Sequence, residues 1–149
     1  MAKFIGEYKA KLDDKGRLIF PAAFKSIMGE GADLRFVVKK SLYSPCLEMY
    51  TYEQWEQDSD SLRSRLNLYN RDHAAFWREY MRGTAVVEPD SKLGRLSIPK
   101  ELLAEAGITR EVIFSGSNFI IEIWDKTAFE SGRMTSDEFV SLAEKILGQ

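Results

Sequence analysis

The sequence predicts an α+β fold in which two tandem half-domains interleave into one pseudo-dimeric β-barrel, decorated with helices. Three observations support this prediction. One sequence motif occurs twice, as LDDKGRLIFP at 12–21 and as DSKLGRLSIP at 90–99. The same order of apolar segments follows each copy. A half of about sixty residues, finally, would leave sheet edges open and bury only a small core, so two halves must cover each other.

The internal repeat sets the boundaries of the two halves. At a shift of 78 positions, the matched residues are Gly16, Arg17, Leu18, Pro21 and Gly29 over Gly94, Arg95, Leu96, Pro99 and Gly107. At a shift of 74, segment 47–56 lies over 121–130, and a difference in loop length would produce this change of shift. The repeat predicts a first half at 3–65, a connecting helix at 66–82 and a second half at 83–147.

Each half begins with a strand, a tight turn and a second, shorter strand. These strands are predicted at 5–12 and 17–20, and again at 84–89 and 95–98. A proline then opens a short helix, because its fixed φ suits the first helical position and its missing N–H costs nothing there. Gly29 and Gly107 follow where a left-handed helix C-cap belongs.

Two further strands and the terminal helices complete the plan. The strands are predicted at 34–39 and 46–50, and at 111–115 and 119–124. Apolar residues at helical spacing predict three helices, with the stripes Trp55, Leu62, Leu66 and Tyr69; His73, Phe76, Trp77, Tyr80 and Met81; and Phe139, Leu142, Ala143, Ile146 and Leu147. Such stripes are typical of packing surfaces. The helices around 52–82 and 135–147 could either cap the barrel or contact other subunits.

The charge distribution permits a local phosphate-facing patch. The net charge of −2 argues against a protein that coats nucleic acid indiscriminately. Residues 1–40 hold nine Lys or Arg and five Asp or Glu, a balance of +4, whereas 41–149 hold twelve and eighteen, a balance of −6. This unevenness fits a basic patch or chance alone. Without an apolar run long enough for a bilayer or a signal peptide, we expect a cytoplasmic protein and no membrane partner.

Enzymatic interpretations find little support in the sequence. The only histidine, His73, lies on an amphipathic helix face, and the only cysteine, Cys46, opens an apolar strand. A Cys46–His73 hydrolase would lack a third, orienting group. The glycines do not have the spacing of a phosphate-binding loop, and metal ligands are not clustered. We expect no catalytic residue, cofactor, metal or small-molecule substrate.

The repeated motif offers a better functional lead. Asp13 and Gly16 are residues that turns between strands favour, and Arg17 leaves the turn at the start of a strand. A guanidinium held this way can donate two parallel hydrogen bonds to phosphate or guanine, with Asp13 aiming it. Lysines at positions 9, 11 and 15 could contact phosphates. A purely structural Asp–Arg pair in a hairpin is the alternative.

The chain resembles the MraZ family, whose fold is related to AbrB-type swapped hairpins. The segments that carry the resemblance are FIGEYKAKLDDKGRLIFPAAF, YSPCLEMYTYEQWE, and GRLSIP followed by WD. The resemblance implies a nucleoid-associated, sequence-specific DNA-binding regulator of transcription. It would act on the promoter of its own division and cell-wall gene cluster, as a ring-like homo-oligomer on double-stranded DNA with short direct repeats.

The family signature D-x-x-x-R assigns the DNA-contacting role to Arg17 and the aiming role to Asp13. Gly16 would permit the turn, and Lys11 and Lys15 would contact the DNA backbone. In the second half the weaker copy comprises Lys92, Gly94 and Arg95.

The second copy departs from the signature, because Ser91 stands four residues before Arg95 and Asp90 stands five. Either the turn bulges so that Asp90 reaches Arg95, or Ser91 supplies a weaker hydrogen bond. Only Lys92 and Lys100 are close in sequence, so we expect the first half to dominate DNA contact. A non-DNA-binding oligomeric scaffold is the alternative function.

Overall fold

The computed structural model describes residues 2–148, which form eight strands and six helices. The strands are β1 Glu7–Lys11, β2 Arg17–Ile19, β3 Phe36–Lys40, β4 Cys46–Thr51, β5 Ala85–Val87, β6 Arg95–Ser97, β7 Glu111–Ser117 and β8 Ile120–Asp125. The helices are α1 Ala22–Met28, α2 Tyr52–Ser64, α3 Arg71–Met81, α4 Lys100–Glu105, α5 Lys126–Ser131 and α6 Ser136–Leu147. Strands β1–β4 and β5–β8 repeat one plan, as the duplication predicts.

The sheet topology shows that the two halves exchange strands. Six strands form one sheet in the order β1-β7-β8-β4-β3-β5, and β2 and β6 pair separately as a two-stranded ribbon. Replacing each strand by its counterpart in the other half (β1 with β5, β3 with β7 and β4 with β8) gives the same order read backwards. Each half thus gives its first strand to a hairpin of the other half. The predicted tandem arrangement of swapped hairpins is confirmed.

One core lies between the ribbon and the sheet. Leu18 and Leu96 face each other across the ribbon and are fully buried. They belong to the same apolar cluster as Phe36 and Phe114, which point inward from the sheet. Because both halves supply this cluster, neither half can keep its core without the other.

Helices cover parts of the outer face of the sheet. Trp55 on α2 packs on Tyr50, and its ring stacks on Tyr80 of α3. In the second half, Phe129 of α5 meets Trp124. Helix α6 buries none of its residues. No helix within residues 2–148 is long and apolar enough to cross a membrane.

The predicted stripe through Leu66 and Tyr69 is wrong. Helix α2 ends at Ser64, and Tyr69 is fully exposed. Two asparagines explain the break, because Asn70 caps the next helix and the side-chain Oδ1 of Asn67 accepts a hydrogen bond from the backbone N–H of Tyr69 at 3.1 Å. Residues 65–70 therefore form a connection rather than a continuation of the helix.

The two prolines act one position earlier than expected. Pro21 and Pro99 are the N-caps of α1 and α4, and the helices begin at the next residue. Gly107 has a φ of 67°, in keeping with the expected left-handed cap. Gly29 also has a positive φ, but its ψ of 168° takes the chain into an extended path.

Candidate nucleic-acid interface

The first loop, residues 13–17, is organised by one carboxylate. Asp13 Oδ1 accepts hydrogen bonds from the amides of Lys15 and Arg17 at 2.9 and 2.8 Å. Backbone bonds from Asp13 to Arg17 and from Gly16 to Asp13 close the turn. Gly16 has a φ of 75°, a backbone conformation that is strained for residues with a side chain. The loop therefore enters β2 with a fixed backbone.

The guanidinium of Arg17 is held from one side only. Its Nε donates to Asp13 Oδ2 at 2.8 Å. Its two Nη groups donate no hydrogen bond to residues 2–148, and the side chain is 25% exposed. The side chain is thus aimed by Asp13 while four N–H donors stay available, which is the geometry that bidentate recognition of phosphate or guanine needs.

The second loop, residues 90–95, reproduces this geometry despite its extra residue. Asp90 Oδ1 accepts from the amides of Lys92, Leu93 and Gly94, and Asp90 Oδ2 accepts from Arg95 Nε at 2.6 Å. Arg95 is 24% exposed. Of the two sequence alternatives, the bulged turn is therefore the one the structure adopts, and Ser91 takes no part in aiming the arginine.

Both carboxylates are held in the charged form. Hydrogen bonds from the Arg17 amide and guanidinium lower the pKa of Asp13. The pKa of Asp90 lies well below its usual value, first because of the Leu93 amide and then because of the Arg95 side chain. Each carboxylate consequently stays ionised throughout the neutral pH range.

The ribbon places the two arginines on one outward face. Arg17 pairs with Ser97 and Arg95 with Ile19, on either side of the buried Leu18–Leu96 pair. Because side chains alternate along a strand, Arg17 and Arg95 point away from the core. Diagonal neighbours of this kind lie about 7–8 Å apart at the backbone. Two aimed guanidinium groups thus share one small surface.

Strand exchange brings lysines of the first half to the second loop. A groove of about 960 Å³ runs between β1, the start of α1 and residues 90–94. Its cationic lining comprises Lys9, Lys11, Lys25 and Lys92. Its only carboxylate, Asp90, is neutralised by Arg95. Sequence reasoning missed Lys25 and did not place Lys9 and Lys11 beside the second loop.

The strand beside the first loop supplies no lysine. Strand β5 pairs with β3 in the way that β1 pairs with β7. Its sequence is AVV, which contains no lysine. Gly16 lies close to an apolar side chain of the other half, Leu103, whose Cδ1 would be 4.0 Å from a Cβ at position 16. Lys15 is exposed at the loop tip. The two loops therefore match in their arginines and differ in their surroundings.

The residues of the hydrolase alternative have structural roles. His73 Nδ1 accepts a hydrogen bond from the backbone N–H of Asn67, and Cys46 is completely buried in β4. Burial raises the pKa of the Cys46 thiol to about 12. Within the described chain, residues 2–148, no group of three His, Cys, Asp or Glu side chains is placed to hold a metal ion.

Cys46 is expected to resist thiol reagents in the folded protein. With a buried sulfur and a raised pKa, it offers almost no thiolate at pH 8. A chromogenic disulfide reagent should leave the thiol of the native protein unlabelled in buffer, and should label one thiol per chain after unfolding in guanidinium. Rapid labelling of the native protein would contradict the burial.

Comparison with known proteins identifies the family. The family described as "MraZ protein, putative antitoxin-like" matches residues 3–79 and 80–144. Proteins named transcriptional regulator MraZ from Christiangramia forsetii, Bacteroides thetaiotaomicron and Flavobacterium psychrophilum are similar, at 38%, 34% and 34% identity. Each alignment covers 99% of this chain, and 95%, 94% and 94% of the respective relative. The chain therefore belongs to the MraZ family.

Proposed function

We propose that the protein is a sequence-specific DNA-binding transcriptional regulator. It acts on the promoter of its own division and cell-wall gene cluster, where copies of the chain bind short direct repeats on the nucleoid. The single observation that carries the proposal is the pair of aspartate-aimed arginines on one outward face. The regulator names of the relatives agree with it.

Each residue of the interface has a distinct role in this proposal. Arg17 and Arg95 contact base edges or phosphates through their Nη groups, and Asp13 and Asp90 fix the direction of each side chain. Gly16 and Gly94 allow the turns. Lysines 11, 15 and 92, together with Lys9 and Lys25 along the groove, contact the DNA backbone without reading sequence.

Both loops contribute to binding in this proposal. Dominance of the first loop was expected from a missing aspartate and a scarcity of lysines in the second. Asp90 supplies the aspartate, and the exchanged strand β1 supplies lysines. We therefore expect Arg95→Ala to weaken DNA binding about as much as Arg17→Ala.

Self-association would multiply the small contact area of one chain. Helix α6 exposes an apolar stripe, with Phe139 67% exposed, and the connection before α3 exposes Leu68 and Tyr69. We propose that α6 of one copy packs on the α2–α3 region of the next. Two different patches joined head to tail generate a ring or a filament. Several linked copies on direct repeats gain affinity through effective concentration.

Polar substitutions in the α6 stripe are expected to dissociate the oligomer. Phe139→Gln combined with Ile146→Gln removes apolar surface from the interface while the exposed positions leave the monomer fold intact. Light scattering should report a mass near 17.1 kDa, and the apparent affinity for a multi-repeat promoter should fall roughly a hundredfold. Glu144→Gln on the polar face is the control. An unchanged mass for the double variant would rule out α6 as the contact.

Removing the aiming carboxylates should weaken DNA binding moderately. Asp13→Asn keeps the shape of the turn but loses the charge that holds Arg17 Nε. A loss of about 1 kcal/mol, or roughly fivefold in affinity, is expected from a freed guanidinium. Fluorescence anisotropy with labelled promoter DNA measures it. Asp14→Asn, next in sequence and exposed, should not weaken binding. Equal losses for both variants would show that the effect does not arise from aiming Arg17, since removing a negative charge by itself favours binding to DNA.

A mobility-shift titration tests the proposal as a whole. The probe is the duplex directly upstream of the gene for this protein, with a shuffled duplex of equal length for comparison. A specific shift is expected, and log affinity should fall linearly with log salt as phosphate contacts release counterions. Equal binding of both duplexes would contradict sequence specificity, and binding of neither would favour the non-DNA-binding scaffold.

A further inference from the structure

The second loop contains one residue more than the first, and this residue is a leucine. From the aiming aspartate to the arginine, the first loop reads DDKGR and the second DSKLGR. Aligning the Gly-Arg pairs makes Leu93 the insertion. The carboxylate of Asp90 accepts three loop amides, including that of Leu93 at 2.8 Å. The inserted residue therefore has a fixed backbone.

The side chain of Leu93, two residues before Arg95, is exposed at the groove and does not belong to the core. It is 61% exposed. Ile19, which pairs directly with Arg95 across the ribbon, is also exposed, and both residues line the same groove. Two exposed aliphatic side chains next to an aimed guanidinium are too few to form a protein-docking patch of ordinary size.

The charges around Leu93 fit a polyanion as the occupant. The groove contains Lys9, Lys11, Lys25 and Lys92, and its one carboxylate is paired with Arg95. On duplex DNA, the apolar group displayed beside hydrogen-bonding base edges in the major groove is the thymine C5 methyl. An exposed aliphatic side chain on a fixed backbone, two residues from an arginine, is suited to contact that methyl.

We propose that Leu93 reads a thymine methyl in the major groove, next to the base or phosphate that Arg95 contacts. This inference rests on the proposed DNA-binding function and deepens it. The first loop, in which Gly16 follows Lys15 directly, has no equivalent side chain. The two loops would then differ in sequence preference although their arginines are equivalent.

Uracil substitution tests this contact, because it removes only the C5 methyl of thymine. The duplex upstream of the gene is made by polymerase extension with either dTTP or dUTP. Wild type and Leu93→Ala are titrated against both duplexes by anisotropy. Wild type should bind the uracil duplex about fourfold more weakly for each contacted methyl, whereas Leu93→Ala should bind both duplexes with equal affinity. Leu42→Ala, at another exposed leucine, should keep the wild-type ratio.

The outcomes separate this inference from the function beneath it. A thymine-to-uracil ratio of one for wild type, or a ratio that Leu93→Ala leaves unchanged, would overturn the contact while DNA binding itself stands. Failure of wild type to bind either duplex would overturn the proposed function and the contact together. An unchanged thermal melt of Leu93→Ala verifies that the exposed substitution leaves the fold intact.

Discussion

Replacing Arg17 and Arg95 together with alanine is expected to abolish specific binding of promoter DNA. Each arginine presents its Nη donors outward from an aspartate-aimed side chain, so each loss should cost about 1–3 kcal/mol. The two losses combine to roughly 30-fold to 10⁴-fold in affinity if they add. The slope of log affinity against log salt should also fall by about one for each phosphate that an arginine no longer neutralises. Anisotropy titrations at several salt concentrations measure both effects.

Two other arginines provide matched controls for this prediction. Arg35 is paired with Asp33, and Arg82 is paired with Glu79, and neither belongs to the ribbon or the groove. Arg35→Ala with Arg82→Ala removes the same net charge as the ribbon double variant. If this control pair weakened binding equally, the ribbon would be no more than a contribution to overall charge.

Leu96→Ala is expected to destabilise the whole molecule by about 2.7–5 kcal/mol. Leu96 is fully buried against Leu18, and truncating it leaves a cavity between ribbon and sheet. For a chain of this size, that loss corresponds to a fall in Tm of roughly 5–20 °C. Because strands are exchanged between the halves, unfolding should remain one cooperative transition by circular dichroism and by tryptophan fluorescence.

Leu93→Ala is the matched control for the core substitution. It removes the same atoms from an exposed leucine three positions away, and its Tm should change little. Two separate transitions in Leu96→Ala, with one half melting before the other, would contradict an interleaved core.

The repeated motif made most of the fold predictable. Gly16, Pro21 and their copies at Gly94 and Pro99 mark the same turns and helix starts in both halves. Local chemistry explains this success, since turn and cap positions depend on residues close in sequence. The Asp13–Arg17 pair was likewise visible, because both partners lie in one turn.

Features that depend on distant contacts were not predictable. Lys9 and Lys11 lie on β1, which crosses to β7 of the other half, and Lys25 lies on α1; all three line the groove beside the second loop. No spacing within the first half indicates that placement. The end of α2 at Ser64 was missed for a different reason: Leu66 continued the apolar period, whereas Asn70 supplied a stronger local signal, the cap of a new helix.

Arginine-specific modification tests the central claim most directly. Phenylglyoxal is applied to the protein with and without the upstream duplex, and modified peptides are quantified by mass spectrometry. DNA should protect Arg17 and Arg95, whose Nη groups face outward, and should leave Arg35 and Arg82 as reactive as before. Equal reactivity of Arg17 and Arg95 with and without bound DNA would contradict the claim that the ribbon is the DNA-binding surface.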